Sequence, residues 1–210
     1  MKEPDKNTRR RGDVLIDNIY DATIRIIREV GYSNLTFKQI AQNAKTSRTV
    51  LYRRWTTTFD LIREIMLYKS ALALDGDLID KIEDTGSLRS DLLRLLTLYQ
   101  RFYTGVGTEV MNAFLFEMSQ NSEKMAGIKS GETGKKIADI KAGAMEKNIL
   151  VMKKVLRLAK ARGDKLKEVD DMTLLLPFDL IRMENLLREV VDTKRLELLV
   201  DEILLPVFKV

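Results

Sequence analysis

Residues 36–61 restrict the fold of this chain most, because they predict two short helices joined by a tight turn. Thr36 is followed three residues later by Gln39, which is a capping box, and Ser47 is a good N-cap for a second helix. The turn and the second helix carry basic and aromatic side chains: Lys45, Arg48, Tyr52, Arg53, Arg54 and Trp55. This spacing predicts a helix-turn-helix whose second helix enters the major groove of DNA.

The remaining sequence predicts further amphipathic helices and contains no alternating pattern typical of a strand. We expect an all-α fold of about nine helices, with a flexible basic arm, a three-helix DNA-binding domain and a larger helical domain. These three parts span 1–12, 13–57 and 58–210. The first predicted helix lies at 13–30, the second begins at Thr36, the third runs from Ser47 to Trp55, and the fourth runs from Thr57 to about 72–78. The later predicted helices lie at 87–103, 108–120, 135–162, 170–191 and 193–209, with a glycine-containing connection at 121–134.

The chain contains no cysteine and no histidine. Zinc sites built from these ligands are therefore excluded, as are catalytic triads that use a histidine base. No spacing of carboxylates or lysines points to another catalytic or metal site. We therefore expect neither an enzyme nor a protein that needs a metal or cofactor, and the missing cysteine fits a reducing cytoplasm.

The positive charge is concentrated in one third of the chain. Residues 1–68 hold 13 Lys or Arg and 8 Asp or Glu, which accounts for the whole net charge of +5. An anionic partner for this third is the simplest explanation. The alternative is a solvated basic tail, since Arg9, Arg10 and Arg11 supply three of the charges, and the same tail is also suited to an adjacent minor groove.

The order of residues in 14–61 resembles the TetR family of one-component transcriptional regulators. The resemblance rests on Gly31-Tyr32, Thr36, Ile40-Ala41, Ala44, Ser47 and the run Leu51-Tyr52-Arg53-Arg54-Trp55, with Leu61 beyond. A weaker similarity lies at 161–164, before the last helices. The resemblance implies a DNA-binding head, a sequence-variable helical domain, and a homodimer that binds a palindromic operator.

The resemblance also implies which side chains meet double-stranded DNA. Arg48 is the candidate for base reading, because a guanidinium can bond guanine through two hydrogen bonds, although a phosphate contact is the alternative. Tyr52 and Arg53 are expected on phosphates, while Trp55, Val50 and Leu51 are expected in the core. The full predicted DNA site is Thr36, Lys45, Thr46, Ser47, Arg48, Thr49, Tyr52, Arg53 and Thr57.

Two positions depart from the family pattern. Lys45 stands where the family usually has a glycine in the turn, and a left-handed residue other than glycine costs about 1 kcal/mol or more. Thr58 stands where the family usually has a lysine that touches a phosphate. Both departures predict an altered affinity for DNA and not a loss of binding.

Aromatic and methionine side chains are frequent in the predicted helices between 87 and 162. Such side chains line adaptable apolar pockets, but they also fill ordinary cores. The resemblance implies a small apolar or amphipathic effector in this domain. The candidate ligand residues are Tyr99, Phe102, Tyr103, Met111, Phe114, Met118, Met152 and Phe178.

The last two predicted helices carry more apolar residues than one face requires, which suits an intermolecular four-helix bundle. The candidate interface residues are Leu174, Phe178, Ile181, Leu196, Leu199, Val200 and Ile203. These side chains can instead close the core of the single chain, and both arrangements are compatible.

The resemblance therefore implies a cytoplasmic, dimeric repressor that is released from its operator by a small molecule. The alternative is a DNA-binding protein of the same family that is controlled by a protein partner and has no small-molecule effector. No stretch is long and apolar enough to predict a membrane span.

Overall fold

The computed structural model describes the backbone of residues 6–120, 132–188 and 191–210, and side chains within 13–119, 142–188 and 191–210. This part of the chain confirms the all-α prediction and contains an isolated bridge between Leu166 and Lys209 but no strand. The helices are α1 (Lys6–Val30), α2 (Phe37–Asn43), α3 (Arg48–Tyr52), α4 (Thr58–Leu74), α5 (Leu88–Val106), α6 (Thr108–Gln120), α7 (Glu132–Arg162), α8 (Asp171–Leu174), α9 (Leu176–Leu187), α10 (Thr193–Leu199) and α11 (Leu205–Phe208).

Helix α1 begins at Lys6 and not at Asp13 as predicted. The predicted flexible arm therefore overlaps the first two turns of this helix, while its residues 1–5 lie outside the described part. The helix ends where predicted, because Gly31 adopts a φ of 78° that other residues avoid.

The chain divides into two compact units. The first consists of Met1–Tyr68 together with Glu109–Glu117, so most of α6 belongs to the same unit as the helix-turn-helix. Its core is formed by apolar residues of α1 to α4 that are almost inaccessible to solvent, among them Ile19, Ile40, Leu51, Trp55 and Leu61.

Helix α6 is joined to the first unit by polar and aromatic contacts. The Tyr32 hydroxyl donates to Glu117 Oε1 at 2.7 Å, and Arg28 Nε donates to Glu109 Oε1 at 2.5 Å. The Phe59 ring of α4 stacks on Phe114 with centroids 5.8 Å apart. Burial and the bond to Glu117 raise the pKa of the Tyr32 phenol, so it remains a donor at physiological pH.

The second unit consists of Lys69–Thr108 and Met118–Val210, with α5 packed against α7, α9 and α10. An ion cluster around the buried carboxylate of Asp91 joins the start of α5 to the end of α7. Arg162 Nη2 lies 2.9 Å from Asp91 Oδ2 and 2.6 Å from Asp164 Oδ2, and Nη1 pairs with Asp84. Asp91 also accepts hydrogen bonds from the backbone and the hydroxyl of Thr85.

Several predicted helix limits need correction. Gly105 does not break α5, because it lies inside the helix; Gly107, with a φ of 90°, ends it. The predicted helix 170–191 is divided at Leu175 and ends at Leu187. The predicted helix 193–209 contains a π-helical segment, Val200–Leu204, between α10 and α11. Most of the predicted connection 121–134 lies outside the described residues.

Among the described residues, no helix combines the length and the hydropathy that crossing a membrane requires.

Candidate nucleic-acid interface

Helix α2 starts at the predicted capping box. The Thr36 backbone N–H donates to Gln39 Oε1 at 2.9 Å, and the Gln39 backbone N–H donates to the Thr36 hydroxyl at 3.3 Å. The Thr36 hydroxyl also donates to Gln39 Oε1 at 2.6 Å. Thr36 remains exposed although it caps the helix. The phosphate contact predicted for Thr36 stays a prediction.

The turn between α2 and α3 is tight because Lys45 adopts a left-handed conformation with a φ of 52°. The next backbone N–H, that of Thr46, donates to the carbonyl of Ala41 at 2.9 Å. Ser47 then caps α3 through a 3.3 Å bond from the Val50 N–H to its hydroxyl oxygen. The turn thus holds Lys45 and Ser47 exposed and Thr46 half-buried beside the start of α3.

Helix α3 has one buried face and one exposed face. Leu51 is fully buried, whereas Val50, also expected in the core, is only half-buried. The predicted DNA-contacting side chains of this helix and its C-cap are all exposed: Arg48, Thr49, Tyr52 and Arg53. The exposed Tyr52 ring is held edge-on against Phe37 of α2, with ring centroids 4.9 Å apart.

Helix α4 begins at a second capping box, as predicted. The Thr57 N–H donates to Asp60 Oδ2 at 3.1 Å, and the Asp60 N–H donates to the Thr57 hydroxyl at 3.1 Å. Both threonines at this helix start, exposed Thr57 and half-buried Thr58, are neutral. The carboxylate of Asp60 therefore already lies at the positive end of this helix dipole.

Glu64 of α4, which the sequence did not predict, joins several elements of the first unit. Glu64 accepts hydrogen bonds from Tyr20 of α1 and from Arg54 and Trp55, which directly follow the C-cap of α3. Trp55 is buried as predicted, with its indole N–H 2.8 Å from Glu64 Oε2. The guanidinium of Arg54 lies 5.3 Å from the centre of the Trp55 ring, so this arginine is directed toward α4.

A cluster of aromatic side chains lies in the second unit, where a ligand was predicted. The Tyr99 ring packs on three others, with centroids 5.4 Å from Phe102, 5.7 Å from Tyr103 and 5.0 Å from Phe178. Burial raises the pKa of the Tyr99 and Tyr103 phenols, although nearby Arg182 opposes the shift. Within the described residues, no hydrogen bond of ordinary geometry reaches the buried Tyr103 hydroxyl.

The other candidate ligand residues do not all join this cluster. Met111 and Phe114 are buried in the first unit, whereas Met118 and Met152 belong to the second. Met152 is fully buried in α7, and Met118 is half-buried. The structure thus groups half of the eight predicted ligand residues around Tyr99.

The candidate interface residues are mostly turned into the chain's own core. Ile203 is half-buried. The other six are buried: Leu174, Phe178, Ile181, Leu196, Leu199 and Val200. These side chains therefore contribute to the core of the single chain, which is one of the two arrangements expected from the sequence, and their part in a dimer contact stays a prediction. A different apolar face is exposed on α9, where Met183, Leu186 and Leu187 are 53%, 55% and 73% accessible.

Helices α2 and α3, joined by the tight turn at Lys45, have the arrangement of a helix-turn-helix. Residues 19–65 match the family described as bacterial regulatory proteins, tetR family. An uncharacterized HTH-type transcriptional regulator of Mycobacterium bovis is 34% identical over 102 residues, which cover 47% of this chain and 46% of that relative. The matched segment thus spans about half the length of that relative.

The fold resembles solved structures over nearly its full length. A regulatory protein in the tetR family from Rhodococcus RHA1 has a TM-score of 0.64 at 16% identity, over 93% of this chain and 97% of that one. AibR, solved with isovaleryl coenzyme A and operator DNA, has a TM-score of 0.60 at 16% identity, over 92% and 98%. Residues 19–65 of this chain thus match the tetR family of bacterial regulatory proteins, and the fold of the chain resembles that of a solved structure described as a member.

Proposed function

We propose that this chain is a DNA-binding transcriptional repressor that acts in the cytoplasm, binds a palindromic operator as a homodimer and is released by a small apolar or amphipathic molecule. The observation that carries this proposal is the geometry of α3. Its inner face is closed by Leu51, while Arg48, Thr49 and Tyr52 remain exposed beside the capped turn. A capped helix that keeps arginine and threonine in solvent is suited to contact base edges and phosphates.

The net charge of the first 68 residues supports the same assignment. The excess of five positive charges lies within the segment that contains α3, which is the proposed DNA-reading helix and is called the reading helix below. Phosphate neutralisation by such a segment provides binding that weakens as salt is added. The capped helix starts at Thr36 and Thr57 add backbone N–H groups for phosphate contacts without further cations.

Arg48 is proposed as the base-reading residue, and its replacement by alanine tests the DNA-binding function. A duplex selected from a random pool should be preferred over an unselected duplex by the natural chain. Arg48→Ala should reduce this preference by about 1–3 kcal/mol per half-site, because a bidentate contact with guanine is lost. Binding to both duplexes is measured by fluorescence anisotropy at several salt concentrations.

Arg53→Ala is the matched control, since it removes the same charge from the end of the same helix. We propose that Arg53 contacts phosphate. This variant should therefore weaken binding to both duplexes equally and should lower the slope of log K against log salt concentration by about one. Arg48 would lose its assigned role if its variant behaved like the Arg53 variant. The DNA-binding proposal would itself fail if the natural chain preferred no duplex at low salt.

The aromatic cluster around Tyr99 supports a site for the effector. It provides four ring surfaces, together with a buried Tyr103 hydroxyl and the half-buried Arg182. Such a site suits a ligand with an apolar body and an oxygen that accepts a hydrogen bond. An acyl group of this kind is present in the isovaleryl coenzyme A of the AibR complex.

A screen of short-chain acyl thioesters and fatty acids tests this part of the proposal. An effector must favour the conformation that does not bind operator, so it should raise the operator Kd in the natural chain. If the effector released the Tyr103→Phe variant from the operator as well as it releases the natural chain, the Tyr103 hydroxyl would not be part of the effector site. The alternative of a protein partner is favoured if no small molecule of these classes releases the operator.

A further inference from the structure

Both carboxylate oxygens of Glu64 are used in joining three segments of the first unit. Oε1 accepts from the Tyr20 hydroxyl at 2.7 Å and from Arg54 Nε and Nη2 at 3.2 Å and 2.9 Å. Oε2 accepts from the Trp55 indole at 2.8 Å. The donors come from α1 and from the segment that follows the C-cap of α3, whereas Glu64 lies in α4.

The reading helix needs such a support because it is short. Helix α3 has five residues, too few to be stable by its own hydrogen bonds. Its start is fixed by the Ser47 cap and its middle by burial of Leu51. Its end is fixed by Arg54 and Trp55, which share one acceptor group on α4.

We propose that Glu64 is a positioning residue for DNA recognition, which holds the end of α3 against α1 and α4 so that Arg48 and Thr49 meet the base edges. This inference rests on the proposed DNA-binding function. It adds that a side chain with no DNA contact sets the affinity for the specific site.

The charge state of Glu64 is consistent with this role. Burial alone would raise the pKa of its carboxyl, but the hydrogen bonds from Tyr20, Trp55 and Arg54 outweigh burial and lower the pKa. Glu64 is therefore a carboxylate at neutral pH and can accept from all its donors at once. A glutamine of the same size has one acceptor oxygen and an amide group that cannot accept.

Glu64→Gln gives a test in which positioning and simple electrostatics predict opposite signs. Removing a negative charge near a polyanion should, by charge alone, strengthen DNA binding. Loss of the charged acceptor should instead raise the Kd for the selected duplex about tenfold or more, since hydrogen bonds to charged groups are worth about that much. Affinity for an unselected duplex should not weaken and the salt dependence should stay unchanged, because no phosphate contact is lost.

Glu29→Gln is the matched control, since Glu29 is an exposed carboxylate of α1. It should leave the selected duplex bound as tightly as before, or slightly more tightly. Equal or tighter binding by Glu64→Gln as well would overturn the inference. If the natural chain preferred no duplex, the proposed function would fail first and this inference with it.

The fluorescence of Trp55 gives a readout independent of DNA, because it is the single tryptophan of the chain. Its emission should shift in Glu64→Gln, in which the indole loses its charged acceptor, and remain unchanged in Glu29→Gln. Weaker DNA binding with unaltered Trp55 emission would contradict action through the end of α3. If Glu64→Gln does not fold, Tyr20→Phe removes one donor to the same carboxylate and should raise the Kd in the same direction.

Discussion

Lys45 occupies a backbone conformation that a lysine adopts only at an energetic cost. Its φ of 52° lies in the left-handed region, where side chains other than glycine are destabilised by about 1 kcal/mol or more. Hydrogen bonds on both sides hold it there, from Ala44 N–H to the Ile40 carbonyl and from Thr46 N–H to the Ala41 carbonyl. The chain thus gains a cation at the start of its reading helix at the expense of stability.

Replacing Lys45 by glycine should raise the free energy of unfolding by up to about 1 kcal/mol, because glycine relieves the strain of the turn. The same variant should weaken DNA binding if Lys45 contacts phosphate. Urea unfolding followed by circular dichroism measures the first effect, and anisotropy with a selected duplex measures the second.

Lys45→Ala separates the two contributions, since it removes the charge but keeps a side chain that resists the left-handed conformation. It should weaken DNA binding as much as Lys45→Gly and bring no gain in stability. Equal urea midpoints for the glycine and alanine variants would show that the turn is not strained at this residue.

Sequence signals between residues a few positions apart made much of the helix-turn-helix predictable at the scale of single residues. Thr36 and Ser47 were predicted as caps because each bonds a residue three positions away. Glu64 was not predicted, since its partners Trp55, Arg54 and Tyr20 lie 9, 10 and 44 residues away. No local pattern marks a glutamate in the middle of a helix as the acceptor for such distant donors.

At the scale of the helices, proline accounts for two of the predicted helix limits that the structure corrects. Pro177 lies at the start of α9 and Pro206 at the start of α11. A proline lacks the N–H of the helical ladder and its ring displaces the preceding turn, so a new helix begins there. The predicted helices at 170–191 and 193–209 followed apolar periodicity alone and therefore ran through both prolines.

Gly105 has a packing role that periodicity also missed. A Cβ built on this residue of α5 would lie 2.3 Å from the Cβ of Ala73 near the end of α4. The two backbones therefore approach each other at a point where only glycine fits. Gly105→Ala should lower the free energy of unfolding by about 1–3 kcal/mol, because overpacking forces a backbone shift.

Gly143→Ala is the matched control for Gly105. Gly143 lies inside α7, and a Cβ built there meets no atom of the described residues within 4 Å. Alanine favours a helix over glycine, so this variant should gain roughly 0.5–1 kcal/mol. Thermal unfolding of both variants decides the matter: a destabilised Gly143 variant, or a stabilised Gly105 variant, would contradict this account of the packing.

At the scale of the whole molecule, the exposed apolar face of α9 stands where the proposed dimer needs a contact. Met183, Leu186 and Leu187 repeat at three- and four-residue spacing, which places them on one side of the helix. Leu198 of α10 is also exposed. The sequence predicts that the last helices are apolar on more than one side. It does not show which of these sides packs against α5 of the same chain.

Leu186→Asp combined with Leu198→Asp should therefore yield a folded monomer, because two desolvated carboxylates oppose each other across any symmetric contact. The monomer should bind a single half-site weakly and lose the cooperative binding of a palindrome. Sedimentation velocity measures the mass, and circular dichroism verifies that the fold is retained.

Leu72→Asp, which changes an exposed leucine of α4 in the same way, should remain dimeric. A double variant that still sediments as a dimer would move the contact away from this face of α9 and α10.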